Sequence, residues 1–79
     1  MYPKMKSEIN KQLGKRIQYL RKRRGMSQED LALECKINKN YLSDMERGTR
    51  NPTIKILEKV SKGLNISLEE LFRGIGSIK

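Results

Sequence analysis

Lys39, Asn40, Ser43 and Arg47 follow one another at helical spacing, so a helix through them gathers an ammonium, a carboxamide, a hydroxyl and a guanidinium on one side. Lysine donates to O6 and N7 of guanine, and asparagine pairs through two bonds with N6 and N7 of adenine, each contact discriminating by ~1–3 kcal/mol. The set suits reading the edges of bases. A second set suits gripping phosphate. Gln28 stands where a helix begins and free backbone N–H groups favour an anion. Asn38, Tyr41, Arg50, Asn51 and Thr53 flank the helix that carries the first set. Gln28 and Thr53 also fit simple capping, Arg47 also fits a phosphate contact, and Tyr41 fits the core with its hydroxyl near the nucleic acid. Asp44, on the same face, is repelled by phosphate unless it accepts from cytosine or holds Lys39 or Arg47 in place, and orientation of those cations is the reading preferred.

These groups need helices to hold them, and the chain reads as five. Met1 to Lys6 has no apolar face and reads as a loose tail. Ser7, followed by Glu8, is expected to cap the first helix, with Ile9, Leu13, Ile17 and Leu20 on one stripe and Gly25 as a left-handed end. The cluster from Arg21 to Arg24 fits a solvated helix end as well as a phosphate contact. Arg21 lies at the margin of the stripe, from where it can turn inward to a carboxylate. Ser27 and Asp30 make a capping box for a second helix, with Met26 and Leu31 as its hydrophobic staple. Leu31, Ala32 and Cys35 share its buried face, Cys35 as a small hydrophobe. Asn38 caps a third helix running to about Arg47 and ended by Gly48, with Tyr41, Leu42 and Met45 facing inward. Thr53 caps a fourth, in which Ile54, Leu57, Val60 and Leu64 face inward and Gly63 closes the end. Ser67 and Glu70 form a capping box for a short fifth helix aligning Leu68, Leu71, Phe72 and Ile75 and ended by Gly74 and Gly76. Ser77 to Lys79 is expected to fray. The fold class is therefore all-α, with a tail at 1–6, one domain at 7–76 and a helix pair at about 27–47.

Composition narrows the partners. Eighteen Lys and Arg against nine Asp and Glu leave a net charge of +9, which calls for an anionic partner. Residues 1–26 hold nine of those cations against the single acid Glu8, so the excess is N-terminal. With no histidine and one cysteine, His-based catalysis, His/Cys zinc sites and an internal disulfide are excluded, and neither enzyme activity nor a cofactor is expected. No apolar run approaches the ~20 residues of a membrane span and no signal sequence is evident, so a cytoplasmic protein with no membrane and no small-molecule partner is expected.

Taken in order, Leu13-Gly-Lys-Arg-Ile-Gln-Tyr-Leu-Arg-Lys-Arg-Arg-Gly-Met-Ser-Gln-Glu-Asp-Leu-Ala32, the hinge residue Ile37, Tyr41-Leu-Ser-Asp-Met-Glu-Arg-Gly48 and Pro52-Thr-Ile54 resemble the phage repressor and Cro-type helix-turn-helix family. Within it, Glu46-Arg-Gly-Thr-Arg-Asn-Pro-Thr53 is similar to the controller proteins of restriction-modification systems. The resemblance implies a compact five-helix lambda-repressor-like domain, with the third helix in the major groove of double-stranded DNA. It also implies an ion pair between Arg21 and Glu46, and a homodimer built from the C-terminal helix. A regulator of transcription on a near-palindromic operator is implied, as repressor or activator, with RNA polymerase a further candidate partner. The family usually has glycine where this chain has Lys36, at a turn where positive φ is expected.

A small domain hides only about 60% of the surface its unfolded chain exposes, and Leu68, Leu71, Phe72 and Ile75 are more apolar groups than a terminal helix needs for its own core. A dimerisation region at about 64–78 is expected from them. Two other readings compete: an adaptor binding a membrane surface or an acidic protein through the basic first helix, and an RNA-binding module. The first helix lacks an interfacial tryptophan, and exposed aromatics for stacking on RNA bases are scarce.

Overall fold

The computed structural model describes residues 3–76, with side chains from Glu8 onward. Among the described residues the chain forms five helices and no strand: α1 (Pro3–Arg23), α2 (Gln28–Cys35), α3 (Lys39–Arg47), α4 (Ile54–Gly63) and α5 (Leu68–Leu71). Ser27, Asn38, Thr53 and Ser67 are the N-caps of α2 to α5, each accepting a bond from a backbone N–H that the first turn leaves unpaired. At α2 the box is reciprocal, Ser27 Oγ accepting from Asp30 N–H and Asp30 Oδ2 from Ser27 N–H. Those bonds hold the exposed Asp30 carboxyl below the usual carboxylate range, the backbone donor contributing most.

Several boundaries differ from the sequence reading. α1 starts at Pro3, so Ser7 lies inside it and does not cap it. Proline costs nothing in a first turn, and Lys4, Met5 and Lys6 follow as good helix formers. At α5 only half of the expected box forms: Ser67 Oγ accepts from Glu70 N–H, but the Glu70 carboxylate goes to Arg16 and Arg73. α5 is a single turn, and Phe72 to Ile75 continue as turns. The expected fraying of Ser77 to Lys79 lies outside the described residues.

α1 lies across α3, α2 packs on α3 and α4, and α5 on α4. The core joins Leu13, Ile17 and Leu20 of α1 to Leu31, Ala32 and Cys35 of α2, Leu42 and Met45 of α3, and Leu57, Val60, Leu64 and Leu71. Ile9, expected in the same stripe, is 49% exposed because the core ends one turn before it. Leu13, Ile17 and Leu20 are enclosed, so that part of the α1 stripe is committed to the core. No helix among the described residues is long and apolar enough to cross a membrane.

Two glycines let helices touch. A Cβ on Gly14 would sit 2.5 Å from the carbonyl oxygens of Met45 and Glu46, so α1 and α3 meet backbone to backbone there. A Cβ on Gly63 would sit 2.4 Å from Cys35 Sγ. Gly63 is the last residue of α4, as expected, although the left-handed residue after the helix is Asn65, at φ 61°. The reason for glycine at 63 is the approach of α2. Burial pushes the Cys35 thiol up to about 11, Glu34 adding to the shift, as suits a small core hydrophobe.

The turn between α2 and α3 hangs on Lys36, which takes the left-handed conformation at φ 59°, ψ 45°. Its N–H and that of Ile37 close on the last carbonyls of α2, and Ile37 packs against the core. A residue with a Cβ is held there at a cost of ~1–2 kcal/mol, whereas glycine would give back ~0.4–1 kcal/mol through a freer unfolded chain. Lys36→Gly should therefore stabilise the fold by roughly 0.5–1 kcal/mol, read as a rise of about 2–8 °C in Tm. A fall in Tm would show that the turn carries no such strain.

Candidate nucleic-acid interface

Arg21 is buried, and the partner for its guanidinium is Glu46 on α3. Arg21 Nε donates to Glu46 Oε2 at 2.7 Å and a terminal nitrogen to Oε1 at 2.9 Å, a bidentate pair whose side chains are 9% and 2% exposed. The other terminal nitrogen donates to the Met26 carbonyl at 2.8 Å. Gln28, at the start of α2, donates its amide to Glu46 Oε1 at 3.0 Å. The carboxylate thus ties α1, the loop after it, α2 and α3 into one unit. Sequence reasoning gave the Gln28 amide to a phosphate; one of its two N–H groups is spent inward here.

With the back of α3 held so, its other side is outward. Lys39, Asn40 and Arg47 are exposed, and Ser43 and Asp44 half-buried between them. Among the described residues Lys39 makes no ion pair and the Asn40 side chain no hydrogen bond. Asn38 Oδ1 accepts from the N–H groups of Asn40 and Tyr41, so Asn38 caps α3 as expected, and Thr53 Oγ1 accepts from Ile56 N–H, which realises the capping alternative for Thr53. Tyr41 packs partly against the core, and the Arg50 guanidinium lies over its ring, 4.5 Å from the centroid. Arg47 donates to Asp44 and, at 3.2 Å, to Ser43 Oγ, while Arg50 Nε reaches Asp44 Oδ2 at 3.4 Å. Asp44 holds cations, as the sequence reading preferred, although Arg50 takes the place foreseen for Lys39. Asn51 accepts from Asn10 at 2.8 Å, which pins the loop after α3 to α1.

Three tethers escaped sequence reasoning. Besides Asn10 with Asn51, Arg16 donates to the Glu70 carbonyl at 2.8 Å and to its carboxylate at 3.0 Å, and Arg24 donates to the Leu64 carbonyl. Arg16 sits at the opposite margin of the apolar stripe from Arg21 and carried the same signal. In the cluster from Arg21 to Arg24, two members are therefore structural.

The expected dimer face is only partly available. Leu71 is 0% exposed, enclosed by its own core, and leaves the set. Phe72 is exposed and Leu68 and Ile75 are half-buried. A groove of about 300 Å³ runs beside them, lined by Ile9, Leu13, Pro52, Leu57, Phe72 and Ile75. Sequence periodicity does not separate Leu71 from Phe72 when a helix is one turn long.

The profile of the family described as Helix-turn-helix matches residues 17–71, from the buried half of α1 through α5. The chain belongs to that family. It is a helix-turn-helix regulator of transcription. It is similar to control protein C.BamHI of Bacillus amyloliquefaciens, 40% identical over 76 residues that cover 92% of this chain and 94% of that protein. Its fold superposes on the crystal structure of the restriction-modification controller protein C.AhdI from Aeromonas hydrophila with a TM-score of 0.78 at 35% identity, covering 80% of this chain and 96% of that one. A second solved structure, the controller protein C.Esp1396I as a tetramer in complex with its natural 35 base-pair operator, gives 0.79 at 37% identity, covering 85% and 88%.

Glu46→Ala should cost about 3–5 kcal/mol, because it leaves the Arg21 guanidinium buried without a counter-charge. For a domain whose whole stability is of that order, the variant should be largely unfolded by circular dichroism at 25 °C. The pair replaced together, Arg21→Met with Glu46→Leu, should lose less than Glu46→Ala alone. An equal or greater loss would remove the buried charge as the cause.

Proposed function

We propose that the regulator acts as a homodimer on a near-palindromic operator and is the controller of a restriction-modification system. The observation that carries the reading is the exposed first turn of α3, where Lys39 and Asn40 project from a helix clamped from behind by Glu46. The likeness to C.BamHI and C.AhdI over nearly the whole of each chain supports the controller role. In this reading the N-terminal turn of α3 enters the major groove. Lys39 and Asn40 read bases, Ser43 and Arg47 extend that face, and Gln28, Asn38, Tyr41, Arg50, Asn51 and Thr53 grip the flanking phosphates.

The dimer in this reading forms across Phe72, Leu68 and Ile75, with Ile9 joining from α1. Ile9, Phe72 and Ile75 line the apolar groove, and a second copy offers the same surface in return, as a two-fold contact requires. The two reading helices then meet half-sites about 34 Å apart.

Selecting bound sequences from a random duplex pool returns the operator, and two variants then test the reading. Lys39→Ala with Asn40→Ala should weaken operator binding by 10²-fold or more, on the order of two base contacts, and random duplex much less. Equal weakening of both would sink base readout by α3. Phe72→Asp should raise the dimer dissociation constant at least tenfold in sedimentation equilibrium, and an unchanged constant would place the interface elsewhere.

A further inference from the structure

Asp44 is an acid on the one surface of a strongly basic protein that has to approach phosphate. The helix dipole does not account for it, since an acid in the last turn of α3 opposes that dipole. Its carboxylate is shared: one oxygen holds Arg47, which also rests on Ser43, and the other lies 3.4 Å from Arg50, which is stacked on Tyr41. Thr49 is held by the Asp44 carbonyl, a backbone contact that a change of side chain leaves in place. The two arginines are thus folded back on the protein in the absence of a duplex, and one of their two charges is cancelled.

We propose that Asp44 is a specificity-determining positioning residue, which restrains Arg47 and Arg50 until a correctly seated duplex supplies better acceptors. This rests on the reading that α3 faces the groove. The physical basis is competition. A phosphate met at random must displace a carboxylate already in contact, so it gains little from either arginine. On the operator the base contacts of Lys39 and Asn40 hold the duplex in one register, and bases or phosphates then stand where both guanidiniums can reach them. Grip on unrelated DNA is suppressed more than grip on the operator, and the ratio between them widens.

The test measures Asp44→Asn, nearly isosteric and neutral, on the selected operator and on a random duplex across a salt series. The expected result is binding to random duplex tightened about 3–10-fold. The slope of log affinity against log salt should steepen by about one, the signature of one further phosphate neutralised. The operator-to-random ratio should fall several-fold. In an Arg47→Ala, Arg50→Ala background the same change should do nothing, which separates restraint of those arginines from a general effect of charge. Unchanged affinity and slope on random duplex would overturn the proposal. So would a loss confined to one base pair of the operator, which would make Asp44 a direct reader of cytosine. Should the parent protein fail to distinguish operator from random duplex, the groove reading would fall, while the salt slope on random duplex alone would still report whether Asp44 restrains the two arginines.

Discussion

The buried pair of Arg21 and Glu46 is the constraint from which the geometry of this molecule follows. Two charges taken out of water are tolerated only when their hydrogen-bonding capacity is filled, and here it is filled by groups from separate elements. Arg21 comes from α1, Glu46 from α3, Gln28 from α2, and the Met26 carbonyl from the loop between α1 and α2. Any rotation of α3 about its axis would uncover the carboxylate, and any sliding of α2 would pull away the Gln28 amide. The pair therefore acts less as a source of net stability than as a lock on orientation, and what it orients is the opposite face of α3.

α1 is the beam on which that lock is mounted. At Gly14 it lies against the backbone of α3 with no side chain between them, and along its length polar tethers reach each neighbouring region: Asn10 to the loop after α3, Arg16 to α5, Arg24 to the end of α4. Three of the nine N-terminal cations, Arg16, Arg21 and Arg24, therefore donate to carbonyls or carboxylates inside the chain. The net charge of +9 already counts those carboxylates, so what folding decides is the position of the cations and not their sum.

The same economy decides which polar groups near α3 are free. Caps consume the acceptor oxygens of Asn38 and Thr53, Glu46 consumes one Gln28 donor, and Asp44 consumes Arg47 and Arg50. Among the described residues, the exposed side chains of Lys39 and Asn40 are left uncommitted. Under the proposed base readout, such a face offers its free groups at the leading turn of the helix.

What could be determined from the amino-acid order alone was local. Ser27, Asn38, Thr53 and Ser67 start their helices because a short oxygen-bearing side chain satisfies a first-turn N–H wherever it occurs, and the apolar stripes inside α1 and α3 follow from a fixed rotation per residue. Arg21 as an inward-turning edge residue was legible for the same reason, and the resemblance supplied Glu46 as its partner and the left-handed turn at Lys36. Only the tertiary structure decided which of two adjacent apolar residues, Leu71 or Phe72, is enclosed, and that Ile9 lies beyond the core. It alone settled that Gly63 makes room for Cys35, and that Glu70 leaves its cap for Arg16. Each of those depends on a neighbour distant in the chain, and a side chain's periodicity carries no information about what will be standing opposite it.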